Sequence, residues 1–249
     1  MSKLIKLYGE RNTNTNYLSK LIELNLHAKE VDAVPPKIIR SLQDVLPGNE
    51  LVRDIYFHCT YGKHLGWKHT LVKSQEALNK YRIVDANLMF VTITKNPYSW
   101  LLSLYRNPYH QYYTDKPSFE DFLCRPWKTV GRDNIRGDVP NPIALWNMKN
   151  RAYLQLDPAK AMNITTERIF EDAEKVIQDI SDFFSIERKS ENFINYERST
   201  KSKSKDSAYY RNFYLSEKWR TDLSSESIAI INESIDKELM THFGYNILS

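Results

Sequence analysis

The sequence predicts an α/β fold: a three-layer sandwich in which a central, mostly parallel sheet lies between helices. Three observations carry this. Apolar runs rich in β-branched residues recur along the chain, the best being Asn87 to Thr94 (Asn-Leu-Met-Phe-Val-Thr-Ile-Thr), as expected of a buried parallel strand. Amphipathic helical patterns alternate with these runs, and such alternation builds a sheet covered on both faces. The chain has 249 residues, 41% hydrophobic and 27% charged, so a self-sufficient core is within reach and disordered or low-complexity classes are excluded. No repeat or linker is visible, and residues 1–249 read as one domain.

The elements follow in order. Leu4 to Tyr8 reads as a strand running into the polar turn Gly9-Glu10-Arg11-Asn12-Thr13-Asn14-Thr15-Asn16. Leu18, Leu21, Ile22 and Leu26 then share one helical face. Pro35-Pro36 breaks the chain, and Lys37 to Leu46 reads as helix. A second strand is expected within Leu51 to His58 or near Trp67, and Thr70 to Tyr81 reads as helix. After the Asn87–Thr94 strand, Pro97 opens a helix to Arg106. Ser118 and Asp121 have capping-box spacing at the start of a short helix to Leu123. Cys124 to Asn141, punctuated by Pro and Gly, is a loop. Pro142 to Leu156 is helix, Ala161 to Thr165 strand, and Ile169 to Phe184 an amphipathic helix. Tyr196 to Ser207 is a lysine-rich loop, and a last helix spans Ser224 to His242, closed by Gly244.

Composition narrows the chemistry. Seven glycines in 249 residues is under half of average usage, about 7%. A glycine-rich phosphate loop is therefore excluded. The net charge of +4 fits an anionic ligand without requiring a nucleic acid. Two cysteines, Cys59 and Cys124, make neither a disulfide framework nor a metal cluster, so no metal is expected. The lysine-interrupted N-terminus is not a signal peptide, and no run reaches the ~18 apolar residues of a membrane span. A cytoplasmic protein is expected.

Two segments can carry chemistry. The turn between the first strand and helix offers backbone N–H groups at a helix N-terminus, a natural anion site. It supplies Arg11 as a cation and Thr13 and Thr15 as hydroxyls. Asn12, Asn14 and Asn16 stand where glycine is commonest, and asparagine best replaces glycine at positive φ. The lysine of a nucleoside-triphosphatase P-loop is missing. The second segment is Lys95-Asn96-Pro97 at the end of the best strand, with Ser103 eight residues after Lys95. Lys95 and Ser103 can meet one phosphate at the carboxyl end of the sheet.

Together these segments resemble the sulfotransferases that use 3′-phosphoadenosine 5′-phosphosulfate (PAPS). In that family a strand–loop–helix near the N-terminus cradles the 5′-phosphosulfate, and Gly9 to Leu18 is similar to it. An Arg-(Asp/Asn)-Pro motif with a serine eight residues after the arginine grips the 3′-phosphate, and Lys95-Asn96-Pro97 with Ser103 is similar to that. Thr165-Thr166-Glu167-Arg168-Ile169, Phe183-Phe184-Ser185-Ile186 and the C-terminal Lys218-Trp219 and Phe243-Gly244-Tyr245 resemble later family segments in the same order. The departures are Asn12 for the usual loop lysine, Asn14 for a glycine, and Lys95 for arginine, which keeps the charge but loses the bidentate fork.

The resemblance implies a P-loop-like sulfotransferase fold and transfer of a sulfuryl group from PAPS to a hydroxyl or amine acceptor, with adenosine 3′,5′-bisphosphate (PAP) as product. It implies that Arg11, Asn12, Thr13, Asn14, Thr15 and Asn16 bind the 5′ end, and Lys95 and Ser103 the 3′-phosphate. Lys201, Lys203 and Lys205 correspond to a basic loop closing over that phosphate. Gly66-Trp67-Lys68-His69 stands where the family's second core strand ends, with Lys68 and Arg11 stabilising charge and His69 as base. His58 or His64 could take that place. The loop from Pro126 to Asn141, with Trp127 and its arginines, borders the acceptor cleft by the same resemblance and suits a carbohydrate or a small acidic acceptor. The rival readings are a nucleotide-dependent phosphotransferase, and a basic nucleic-acid-binding protein using the lysine loop and nearby aromatics.

Overall fold

The computed structural model describes residues 3–45, 50–196 and 207–249. Lys201, Lys203 and Lys205 lie outside the described residues. Four strands, β1 (Lys3–Gly9), β2 (Ala28–Glu30), β3 (Leu88–Thr94) and β4 (Ala161–Thr165), form one sheet in the order β2-β1-β3-β4. Every pairing is parallel. The chain leaves β1 through helix α1 (Thr15–Asn25) to reach β2 on one side. It then crosses α2 (Lys37–Val45), α3 (Leu51–Cys59), α4 (Tyr61–His64) and α5 (Gln75–Leu78) and returns to β3 on the other side of β1. Strand order therefore reverses between β1 and β3, and open α/β sheets bind ligands beyond the strand ends at such a reversal. The register sets Gly9 opposite Ile93 and Thr94 opposite Thr165. The carboxyl ends of β1, β3 and β4 thus share one edge.

Side-chain alternation along the strands makes the three layers. Ile5, Leu7, Val91 and Ile93 face Leu18, Leu21 and Ile22 of α1 and Val176, Ile177 and Ile180 of α10 (Ala173–Phe184). Tyr8, Leu88 and Phe90 face the other way, onto Leu65, Val72, Leu78 and Tyr153. Tyr153 ends α8 (Pro142–Tyr153). A third cluster joins α6 (Pro97–Arg106), α7 (Phe119–Cys124), α8, α12 (Ser225–Ser234) and α13 (Lys237–His242) around Trp100, Trp127, Trp146 and Trp219. Two further helices, α9 (Thr166–Glu171) and α11 (Ser207–Leu215), pack against each other beside β4.

Several elements differ from expectation. The run Leu51–His58 is helix α3 rather than a strand, because short apolar runs do not distinguish the two periods. The second strand is the three-residue β2, too short to leave a pattern. Thr70–Tyr81 is helical only over α5, which starts at the Ser74 cap. The helix expected from Ile169 to Phe184 is split at Asp172, whose carboxylate caps α10 by accepting from the Lys175 N–H. The last helix is split likewise, where Asp236 caps α13. The caps at Asn96 and Ser118 are as expected: Asn96 accepts from the Tyr98 N–H and Ser118 from the Asp121 N–H.

Candidate functional site

The loop after β1 folds tightly at the strand reversal. Gly9 has no room for a side chain: a β-carbon there would lie 2.7 Å from the Thr15 methyl and 3.1 Å from the Ile93 carbonyl oxygen. Asn12 and Asn14 both adopt positive φ, 68° and 63°, which asparagine tolerates better than other side chains. Asn14 is the N-cap of α1, yet its side chain makes no bond to the first turn. Its Nδ2 is buried and has no partner. The first N–H groups of a helix have no intrahelical acceptor; that of Tyr17 donates to the Asn14 carbonyl at 3.0 Å, and those of Thr15 and Asn16 open beside the buried amide. Lys68 adds a cation, donating from Nζ to Oδ1 of Asn16 in the first turn of α1.

Arg11 and Thr13 are otherwise engaged. The Thr13 hydroxyl donates to the Glu10 carbonyl at 2.6 Å. The buried Arg11 guanidinium lies 4.6 Å from the Trp67 ring centre and 5.1 Å from that of Tyr109. It pairs with Glu10 at 3.3 Å and Asp133 at 3.6 Å. Glu10 also meets Lys149 at 3.2 Å. Burial raises the Glu10 carboxyl, but the charges of Lys149 and Arg11 outweigh this and hold it below the usual range. Arg11 therefore fastens the loop rather than presenting a free charge.

The second segment forms as the spacing required. Lys95 is fully buried at the end of β3. Its Nζ donates to the Ser103 hydroxyl at 2.9 Å and to the Tyr214 hydroxyl of α11 at 3.0 Å. The Asn12 amide donates to the Ser103 carbonyl at 3.3 Å, so the two segments form one continuous site. Glu167, at the start of α9, accepts from the Asn96 N–H and from the Tyr245 hydroxyl. Burial lifts its carboxyl above the usual range despite those bonds and the nearby Lys95 charge.

Residues 65–69 are a loop, not a strand end. Four bonds dock this loop along β1: Lys6 Nζ to the Gly66 carbonyl at 2.6 Å, the Tyr8 hydroxyl to the Leu65 carbonyl at 2.8 Å, the Gly9 N–H to the Lys68 carbonyl at 2.9 Å, and His69 Nδ1 to the Gly9 carbonyl at 2.5 Å. Released from strand alternation, Lys68 and His69 both lie beside the first loop. Because a carbonyl oxygen only accepts, His69 carries its proton on Nδ1 and leaves Nε2 as the basic nitrogen. Burial, with the charges of Arg11 and Lys68, holds the His69 pKa well below its ordinary value, so the ring is neutral at pH 7. His64 cannot substitute. Its Nδ1 accepts from the Gly66 N–H and its Nε2 meets the Thr60 hydroxyl, while burial lowers its pKa to about 4. His58 is exposed on α3.

With that geometry in view, three solved structures are similar to the chain over nearly its whole length. One is a sulfotransferase domain from the curacin biosynthetic pathway, 13% identical, covering 99% of this chain and 99% of that chain with a TM-score of 0.47. Another is a sulfotransferase domain from the Synechococcus PCC 7002 olefin synthase, 15% identical, covering 100% and 96% with a TM-score of 0.48. The third is a sulfotransferase from Alicyclobacillus acidocaldarius, 13% identical, covering 95% and 97% with a TM-score of 0.44. No protein-family model and no curated protein sequence matches the chain.

The structure thus gathers Asn12, Asn14, Asn16, Lys68, His69, Lys95 and Ser103 around one edge of the sheet, with Thr15 in the first turn of α1. Trp127 is not at a cleft: it is buried in the core and bridges to Val139. The reading of the sequence missed Glu10, Lys149, Asp133 and Tyr214. Lys149 falls within a helix that buries Leu145, Trp146 and Ala152, and a lysine among such positions is the one available signal. No helix of the described residues is long and apolar enough to cross a membrane. Among the described residues no cluster of His, Cys, Asp or Glu could hold a metal ion.

Proposed function

We propose that the protein is a sulfotransferase that moves the sulfuryl group of PAPS to a hydroxyl or amine acceptor. The observation that carries this reading is the pair of linked anion sites: the unsatisfied start of α1 with the unpartnered Asn14 amide, joined through Asn12 to Lys95 and Ser103. A nucleotide bearing phosphate at both its 3′ and 5′ positions matches two such sites at one sheet edge. The residues fit it: Asn14, Thr15 and Asn16 with the α1 N–H groups would hold the 5′ end, and Lys95 and Ser103 the 3′-phosphate. Tyr214, which now bonds Lys95, would give up that bond or share it.

PAPS supplies the activated sulfuryl group. The demands on the protein are position and charge stabilisation. The acceptor forms its new bond to sulfur as the bond from sulfur to the 5′-phosphate oxygen breaks, and the acceptor's proton passes to Nε2 of His69. Lys68, held by Asn16, stabilises charge at the 5′ side. Arg11 acts by fastening the loop between Glu10, Trp67 and Asp133. Lys201, Lys203 and Lys205 are proposed to cover the 3′-phosphate, and a cytoplasmic location and a carbohydrate or other small acceptor belong to the same proposal.

Calorimetric titration with adenosine 3′,5′-bisphosphate and with ATP tests it. Micromolar binding of the bisphosphate with little for ATP is expected. A folded sample that binds neither would sink the proposal, and a preference for ATP would favour a phosphotransferase.

A further inference from the structure

An open cleft of about 530 Å³ lies beside this site, lined by Lys37, Arg40 and Ser41 of α2, Arg53 of α3, and Trp67. Trp67 is the lining residue that also touches the site. The indole ring lies 4.7 Å from the His69 ring and 4.6 Å from the Arg11 guanidinium. The cleft and His69 thus share Trp67 as a wall.

Its charge is unbalanced. Arg53 has two acidic neighbours along the chain, Glu50 and Asp54, but Arg132 takes both, at 2.7 and 2.8 Å. Asp54 further accepts from the Gly131 and Arg132 N–H groups. Arg53 Nε is buried without a partner. Among the described side chains, to which Asp44 of α2 does not belong, no carboxylate pairs with Lys37, Arg40 or Arg53. Three cations gathered along one concavity attract an anion that can meet them together.

We infer that the acceptor is itself an anion: a hydroxyl or amine compound carrying a carboxylate, phosphate or sulfate group that seats on Lys37, Arg40 and Arg53. The inference rests on the sulfotransferase reading for the word acceptor, but the anion site stands on the cleft alone. It sets specificity, because a neutral analogue leaves the three charges unpaired.

The test uses digalacturonic acid and its dimethyl ester as a matched pair, titrated by calorimetry into the full chain saturated with adenosine 3′,5′-bisphosphate. Saturation keeps the probe from the nucleotide site. The acid should bind about tenfold or more tighter than the ester. The double variant R40Q/R53Q, and separately Lys37→Gln, should lose that advantage while keeping wild-type affinity for the bisphosphate, which also reports the fold. Equal binding of acid and ester, binding of neither, or an acid preference that survives R40Q/R53Q would overturn the inference. If the bisphosphate itself does not bind, the proposed function fails, and the same titration without it still reads the cleft.

Discussion

Asn14 offers a substitution whose effects on stability and on binding have opposite signs. Its Nδ2 is buried without an acceptor, and such a group costs ~1–3 kcal/mol. Its backbone sits at φ 63°, ψ 27°, where glycine is unstrained. Asn14→Gly removes the orphaned donor and relaxes the backbone. Against this stands ~0.5–1 kcal/mol for the added freedom of the unfolded chain. The free protein should be as stable as the wild type or gain up to about 2 kcal/mol. If the amide serves a 5′-phosphate oxygen, the lost charge-assisted bond is worth ~1.5–3 kcal/mol, a weakening of about 10- to 150-fold. Asn14→Ala loses the same bond but keeps a β-carbon in the left-handed region, which costs ~1–2 kcal/mol more. Less the ~0.5–1 kcal/mol of unfolded-chain freedom that alanine does not carry, in a chain of this size that lowers the melting temperature by up to about 6 °C relative to the glycine variant. Thermal denaturation and calorimetry with adenosine 3′,5′-bisphosphate read both quantities. Native affinity in Asn14→Gly would refute the amide's role as a ligand, and equal melting of the two variants would refute the strain argument.

Other expectations follow from the same geometry. Lys95→Ala and Ser103→Ala should weaken the bisphosphate more than AMP, since only the bisphosphate carries the 3′-phosphate proposed to meet Lys95 and Ser103; equal weakening in calorimetry would move that phosphate elsewhere. His69 is charged in the unfolded chain below its ordinary pKa near 6.5 but stays neutral when folded to well below that. Its contribution to stability is thus present above pH 6.5 and is lost as pH falls toward the folded value, by up to about 1.4 kcal/mol per pH unit. Urea midpoints at pH 7.5 and 5 should therefore differ less in His69→Gln than in the wild type, and the same variant should bind bisphosphate but lose turnover. Gly9→Ala drives a β-carbon against Thr15, Thr13 and the Ile93 carbonyl. It should cost ~1–3 kcal/mol in denaturant unfolding and displace the loop enough to weaken the bisphosphate.

The sheet was legible where burial makes a pattern. β1 and β3 are mostly apolar runs because both faces are covered, β4 keeps Ala161 and Ile164 buried, and Asn96-Pro97 marks the turn into α6 by its own chemistry. β2 was not legible, since three residues at an edge leave no period to read. The breaks at Asp172 and Asp236 were hidden for a related reason. Asp172 ends α9 and caps α10, and Asp236 caps α13 directly after Ile235 ends α12, so the apolar spacing runs through almost undisturbed while the backbone turns.

The site divides along the same line. The placement of Asn12, Asn14, Lys95 and Ser103 was legible because it depends on local backbone: an asparagine in place of glycine, or a serine two helical turns from a strand end. The role of Arg11 was not legible, because what a cation does is decided by the carboxylates around it. Glu10 lies next to Arg11, but Asp133 and Lys149 arrive from a turn and a helix more than a hundred residues away. Glu10 holds two cations at once, Arg11 and Lys149. Lys149 in turn donates to the His69 carbonyl. One buried carboxylate thereby ties the loop that carries Asn12 and Asn14 to the loop that carries Lys68 and His69. Removing it would strand two buried cations, a larger loss than removing either cation. The charge nearest in sequence to the proposed reaction therefore works as scaffold, and Lys68, half-buried at the mouth of α1, is left as the cation able to meet a ligand there.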